Sequence, residues 1–151
     1  MIKLLCDQML GTLAKWLRLL GYDTVYIDND LPDEDIIELA KKENRIILTR
    51  DKNLVITAKR ENLRTIEIKP VDLDEQIKSV IKKFGLEEKK ILSRCSVCNA
   101  PIVKIDREKV KNLVPKKVFE NNKEFWFCEN CKKVYWMGTH WKNMKKRIEK
   151  L

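Results

Sequence analysis

Two Cys-x-x-Cys pairs constrain this chain more than any other feature: Cys95-Ser-Val-Cys98 and Cys128-Glu-Asn-Cys131, 29 residues apart. Each pair offers two sulfurs from one tight turn, and the spacer is long enough for the second turn to return to the first. Four thiolates so arranged suit one tetrahedral zinc ion. Such a site has no open position, so its role is structural. Two disulfides or four free thiols are the competing arrangements, and disulfides belong to oxidising compartments or hyperthermophiles. A zinc ribbon is therefore expected. It divides the chain into residues 1–90 and a module of residues 91–151. The fifth cysteine, Cys6, lies in an apolar run and is expected to be a buried small hydrophobe.

Charge follows the same division. Residues 1–90 carry 17 Lys/Arg and 17 Asp/Glu, a net of 0, whereas residues 91–151 carry 15 Lys/Arg against 6 Asp/Glu, a net of +9. Zinc on four thiolates would lower the latter to +7. A basic module beside a neutral one points to a polyanionic partner, and RNA is the expected one. A lysine-rich solvated surface of thermophilic type is the alternative. It accounts for the number of lysines but not for their segregation. The apolar run at the N-terminus stops at Asp7, which is too short for a signal peptide, and no stretch reaches membrane-spanning length. A soluble, cytoplasmic protein is expected.

Up to Gly85 the chain alternates short apolar runs with amphipathic ones. Strands are expected at residues 2–6, 24–27, 45–48 and 64–68. Helices are expected at about 9–20, 32–43, 53–60 and 72–84. Gly21 and Gly85 end the first and last of these helices. Strand–helix alternation of this kind gives an α/β fold, a parallel sheet sandwiched between helices. In the second module, residues 102–105, 124–127 and 134–136 read as strands, and a basic helix follows from Trp141. None of the four glycines falls in a dinucleotide or P-loop spacing, so nucleotide-cradling folds are disfavoured.

Open parallel sheets form their sites outside the carboxyl ends of the strands. Asp7, Asp28 and Asp51 follow the first three expected strands, and Asp35 lies one turn into the second helix. Carboxylates gathered there repel unless a cation intervenes. Hard oxygen ligands without histidine suit Mg2+ or Mn2+, which activate water for phosphodiester cleavage. Taken singly, Asp7 and Asp51 also read as helix N-caps, Asp28 as a turn former, and Asp33 and Glu34 as solvated partners of a helix dipole. Lys15 and Arg18 share the polar face of the first helix, and Arg50 and Lys52 flank Asp51. These bases are candidates for holding a phosphate, with plain solvation of the helix as the alternative. His140, Trp141 and Lys142 follow the second knuckle and are candidates for RNA contact. For His140 a structural hydrogen bond is the competing role.

Asp7, the Asp33-Glu-Asp35-Ile-Ile segment and Leu48-Thr-Arg-Asp51 resemble the PIN-like nucleases. With the two knuckles and Val134-Tyr-Trp-Met-Gly-Thr-His-Trp141 added, the chain is similar over nearly its whole length to the Mut-seven C-terminal RNase domain, a PIN-like fold fused to a zinc ribbon. The resemblance implies a metal-dependent ribonuclease domain over residues 1–90, with endonucleolytic action expected, and a basic zinc-ribbon module over 91–151. It implies Asp7, Asp35 and Asp51 as Mg2+ or Mn2+ ligands, with Asp28 as a further catalytic candidate; Arg50 is a catalytic candidate from its own place, since it shares a strand end with an acid. The fourth acid that PIN nucleases carry late in the domain has no clear counterpart, because the fourth strand runs into Lys69-Pro70 and Asp72 matches poorly.

Two other classes compete. A non-catalytic RNA-binding adaptor would use Trp126, Tyr135, Trp136 and Trp141 as stacking surfaces, with a small ribbon core as their alternative role. A receiver domain would also gather aspartates at strand ends, yet it needs an acidic pair after the first strand, where only Asp7 stands.

Overall fold

The computed structural model describes residues 2–150. Four strands, β1 (Lys3–Cys6), β2 (Asp23–Tyr26), β3 (Ile46–Thr49) and β4 (Thr65–Glu67), form an all-parallel sheet in the order β2-β1-β3-β4. The register pairs Cys6 with Tyr26 and Leu48, and Thr49 with Glu67. All the carboxyl ends therefore open on one edge. The helices α1 (Gly11–Leu19), α2 (Asp33–Glu43), α3 (Lys52–Arg60) and α4 (Leu73–Phe84) connect or follow the strands. A single 3-10 turn, Gln8–Leu10, leads into α1.

Because side chains alternate along a strand, the sheet buries two different faces. Leu5 and Ile47 point to a cluster with Ile36, Ile37 and Ala40 of α2 and Leu54 and Ala58 of α3. Leu4, Cys6, Ile46 and Leu48 point the other way, to Leu13, Leu17, Ile77 and Val80 of α1 and α4. Cys6 is fully buried, and burial pushes its thiol well above the ordinary value, as fits a packing residue. Helix ends follow the sequence signals. Gly21 takes φ +98°, and a Cβ there would lie 2.4 Å from the Lys90 carbonyl oxygen, so only glycine fits. Asp72 caps α4 by accepting from the Glu75 N–H.

The second module is a three-stranded antiparallel sheet, β5 (Val103–Ile105), β6 (Phe125–Cys128) and β7 (Lys133–Tyr135), in the order β5-β6-β7. Its centre is Phe125, which stacks on Phe119 of the short helix α5 (Lys116–Asn121) and meets the edge of Trp136. The last helix, α6 (Thr139–Glu149), does not stay with the ribbon. Trp141 stacks on Trp16 of α1 at 5.9 Å and 12°, Met144 joins the same core, and Arg147 pairs with Asp74 of α4 at 3.4 Å. One apolar cluster thus runs from the parallel sheet through Leu92, Cys95, Cys128 and Tyr135 to Trp141. Among the described residues, no helix is long and apolar enough to cross a membrane.

Candidate active site and metal centre

Asp7 leaves β1 at the open edge and is almost fully buried, at 7% exposure. Thr49, at the end of β3, donates its hydroxyl to Asp7 Oδ2 and accepts from the Asp51 N–H at 3.0 Å. A single hydroxyl thus ties the first acid to the third. Asp7 Oδ1 is buried and has no hydrogen-bond partner among the described residues. Burial pushes the carboxyl above its ordinary value, the bond from Thr49 and the Met9 N–H oppose this, and the charges of Asp51 and Asp33 raise it further. The Met9 N–H of the turn that follows faces the carboxyl without closing a regular capping hydrogen bond, so the N-cap role accounts for only part of its setting. A buried carboxylate with an orphaned oxygen and two acidic neighbours has the chemistry of a site for a hard cation.

The other predicted residues divide. Asp51 is both cap and neighbour: its Oδ1 accepts from the N–H groups of Asn53 (2.9 Å) and Leu54 (3.4 Å), while its charge reaches Asp7. Asp35 lies exposed on α2, and Asp28 is exposed beyond β2. From α2 it is Asp33, in the first turn, whose charge reaches Asp7. In the sequence Asp33 looks like a solvated dipole partner, and residue type alone does not mark Thr49 out from Thr49-Arg-Asp51. The signal for Thr49 was its place at the end of a fully buried strand, where a lone hydroxyl needs a partner. Among the described residues, no three carboxylates lie close enough to form a ready-made metal cage.

The bases also divide. Lys15, Lys52 and Lys142 are exposed. Arg18, expected on the polar face of the first helix, is buried. It donates to the Thr24 carbonyl (2.8 Å) and to those of Ser96 and Val97 (3.0 Å each), because α1 is covered by the first knuckle as well as by the sheet. It is a bolt between modules and not a phosphate contact. Arg50 bridges the ends of β3 and β4 by donating to the carbonyls of Ile68, Lys69 and Pro70. Trp141 is buried against Trp16 instead of facing solvent. The side chain of His140 lies outside the described residues.

The four knuckle sulfurs lie within 4.8 Å of one another, with Cys98 and Cys128 3.6 Å apart. Both turns are built alike. The residue after each second cysteine, Asn99 or Lys132, takes a left-handed φ (70° and 58°), and its N–H bonds to the carbonyl of the first cysteine. Backbone N–H groups of Val97 and Cys131 point at the sulfurs of Cys95 and Cys128, at 3.4 and 3.3 Å. The Tyr135 hydroxyl lies 3.0 Å from Cys95 Sγ. Asn130 beside Cys98 holds that thiol down at about 6, and hydrogen bonding among the crowded sulfurs, Cys98 foremost, pushes Cys131 up to about 12. Four thiols in such a space resist losing all their protons without a compensating dication, so the donor set fits zinc. All five cysteines are free of disulfides.

The first cysteine turn is fastened to the parallel sheet. Asn99 donates to Asp23 and accepts from the Thr24 N–H, and Arg94 and Arg45 both pair with Asp23. The second knuckle is reached through Tyr135, which accepts from the Ser96 N–H.

The chain is similar in sequence to known proteins. The human protein named exonuclease mut-7 homolog is 32% identical over 117 residues, covering 74% of this chain and 13% of that protein. The chain therefore spans only a small part of that relative's length. The model of the Mut7-C RNAse domain matches residues 2–148, through both the parallel sheet and the ribbon. The chain belongs to the Mut7-C RNAse domain family.

Proposed function

We propose that the chain is a divalent-metal-dependent ribonuclease whose chemistry lies at the open edge of the parallel sheet, with endonucleolytic action as the working reading. The observation that carries it is Asp7: a buried carboxylate, one oxygen orphaned, beside two further acids. Asp7 and Asp51 would hold Mg2+ or Mn2+, joined from α2 by Asp33 or, after a side-chain rearrangement, Asp35. A cation bound there supplies an activated water and offsets charge on the phosphate. Thr49 fixes the rotamer of Asp7 and, through the Asp51 N–H, the position of the second acid. The capping bonds hold Asp51 at the mouth of α3, where Lys52 is exposed for a phosphate. Cys95, Cys98, Cys128 and Cys131 would hold a structural zinc, and the basic ribbon and α6 supply the attraction for RNA. Lys142 and the neighbouring exposed lysines of α6 face solvent, as that role requires.

The test is cleavage of total cellular RNA by the purified chain with Mg2+ or Mn2+, with both ends of the products mapped. The wild type should cut, and Asp51→Asn should bind RNA without cutting it. An adaptor that only binds RNA would show no cleavage and no difference between the two proteins.

A further inference from the structure

A cavity of about 240 Å³ lies between α1 and the end of β7, away from the acidic edge. Its walls include Trp16 and Leu19 of α1, Tyr135 and Trp136 at the end of β7, and Trp141 of α6. Trp16 and Trp141 are both buried and stack on each other, 12° apart, as a fixed aromatic base beneath the cavity, and half-buried Trp136 is the indole left open to it. Gly138 also lines it, and a Cβ there would come within 3.1 Å of Trp136 Nε1, so glycine keeps that ring edge uncovered. The Trp141 indole N–H is buried and has no acceptor among the described residues. Two lysines, Lys15 and Lys133, also line it, and both are exposed.

Each property selects part of a ligand. Aromatic walls favour a planar ring. The lysines favour an anion next to it. The volume lies below the roughly 300–1,000 Å³ of pockets for drug-sized ligands, which fits one heterocycle. We infer that this cavity takes one unpaired base of a single-stranded RNA, with Lys15 and Lys133 against the adjoining phosphates. The choice of RNA rests on the nuclease reading and on the +9 net charge of residues 91–151. Helix α1 connects the two places. Asp7 lies just before the 3-10 turn that leads into it, and Lys15 stands in its second turn. The separation between a held base and the acids is thus set by a rigid element.

The experiment uses the full chain with its zinc, no Mg2+ or Mn2+ added, and 15N-labelled indoles. It is titrated with hexamers of uridine or adenosine and with an abasic ribose-phosphate chain of the same length. The indole signals of Trp16, Trp136 and Trp141 should shift with the base-bearing hexamers, while Trp126, outside the cavity, and the abasic titration show little change. Trp136→Ala should weaken hexamer binding about 10-fold. Lys15→Glu, which leaves the aromatic walls intact, should weaken it and flatten its salt dependence. No shift, equal shifts with the abasic chain, or unchanged affinity in both variants would overturn the inference. Base-dependent shifts in a protein that never cuts RNA would support the cavity and remove the nuclease reading. Cutting without such shifts would do the reverse.

Discussion

Replacing Asp7 by Asn tests the metal site through stability, independently of any substrate. Without a divalent ion the wild type carries a buried carboxylate whose Oδ1 has no partner among the described residues and whose ionisation burial and the Asp51 and Asp33 charges oppose. Asn keeps the bond from Thr49 and removes the charge. An unsatisfied buried polar group costs roughly 1–3 kcal/mol. Because the Asn amide occupies the same unpartnered position, only part of that is recovered, about 1 kcal/mol. In a chain of this size that raises Tm by about 2–4 °C. The pH dependence has a definite sign. The native carboxyl titrates above the ordinary 3.8, so between 3.8 and its raised value the native state holds more protons than the unfolded one. Wild-type stability therefore falls as pH rises through that window, and the gap to Asp7→Asn closes below 3.8. Mn2+ reverses the order: at 100 times its Kd it stabilises the wild type by about 2.7 kcal/mol and leaves the variant unmoved. Thermal melts followed by circular dichroism, at several pH values and with zinc retained, read all of this. A wild type more stable than Asp7→Asn without metal, or equal Mn2+ responses, would refute the reasoning.

Three further outcomes follow from the contacts. Elemental analysis should find one zinc per chain, and Cys128→Ser should lose it; because knuckle and sheet share Arg18, Asn99 and Asp23, metal loss should lower the melting of the whole chain in one transition instead of releasing a ribbon alone. Arg18→Ala leaves three carbonyls without their donor and should cost roughly 2–4 kcal/mol in urea denaturation, with the RNA affinity of the folded fraction unchanged. Asp33→Asn should weaken Mn2+ binding, measured by calorimetry, more than Asp35→Asn; the opposite order would mean that α2 presents its second acid to the ion.

The sequence carried the layout of the fold well. Short apolar runs, glycines at helix ends and acids in the first turn of α2 placed the elements of the parallel sheet to within a few residues, because these signals are local. The knuckle spacing likewise placed the four sulfurs together. What it did not carry was contact between distant segments. Arg18 and Trp141 look like surface residues when α1 and α6 are read as lone amphipathic helices, since only tertiary packing covers those faces. The choice between Asp33 and Asp35 was hidden for a related reason: helical periodicity tells which face each occupies but not how the helix is rotated against β1. Short helix α5 was missed because its six residues, packed through Phe119 on Phe125, lack a periodic stripe of their own.

Hydrolysis of an end-labelled single-stranded RNA, measured against Mn2+ concentration for the wild type and Asp7→Asn with zinc content matched, tests the central claim most directly. The expected result is saturable, Mn2+-dependent cutting by the wild type and a loss of at least about 100-fold in the variant, as befits a residue acting on transition-state charge. Cutting that is independent of added metal, or equal in the two proteins, would contradict an active site at Asp7.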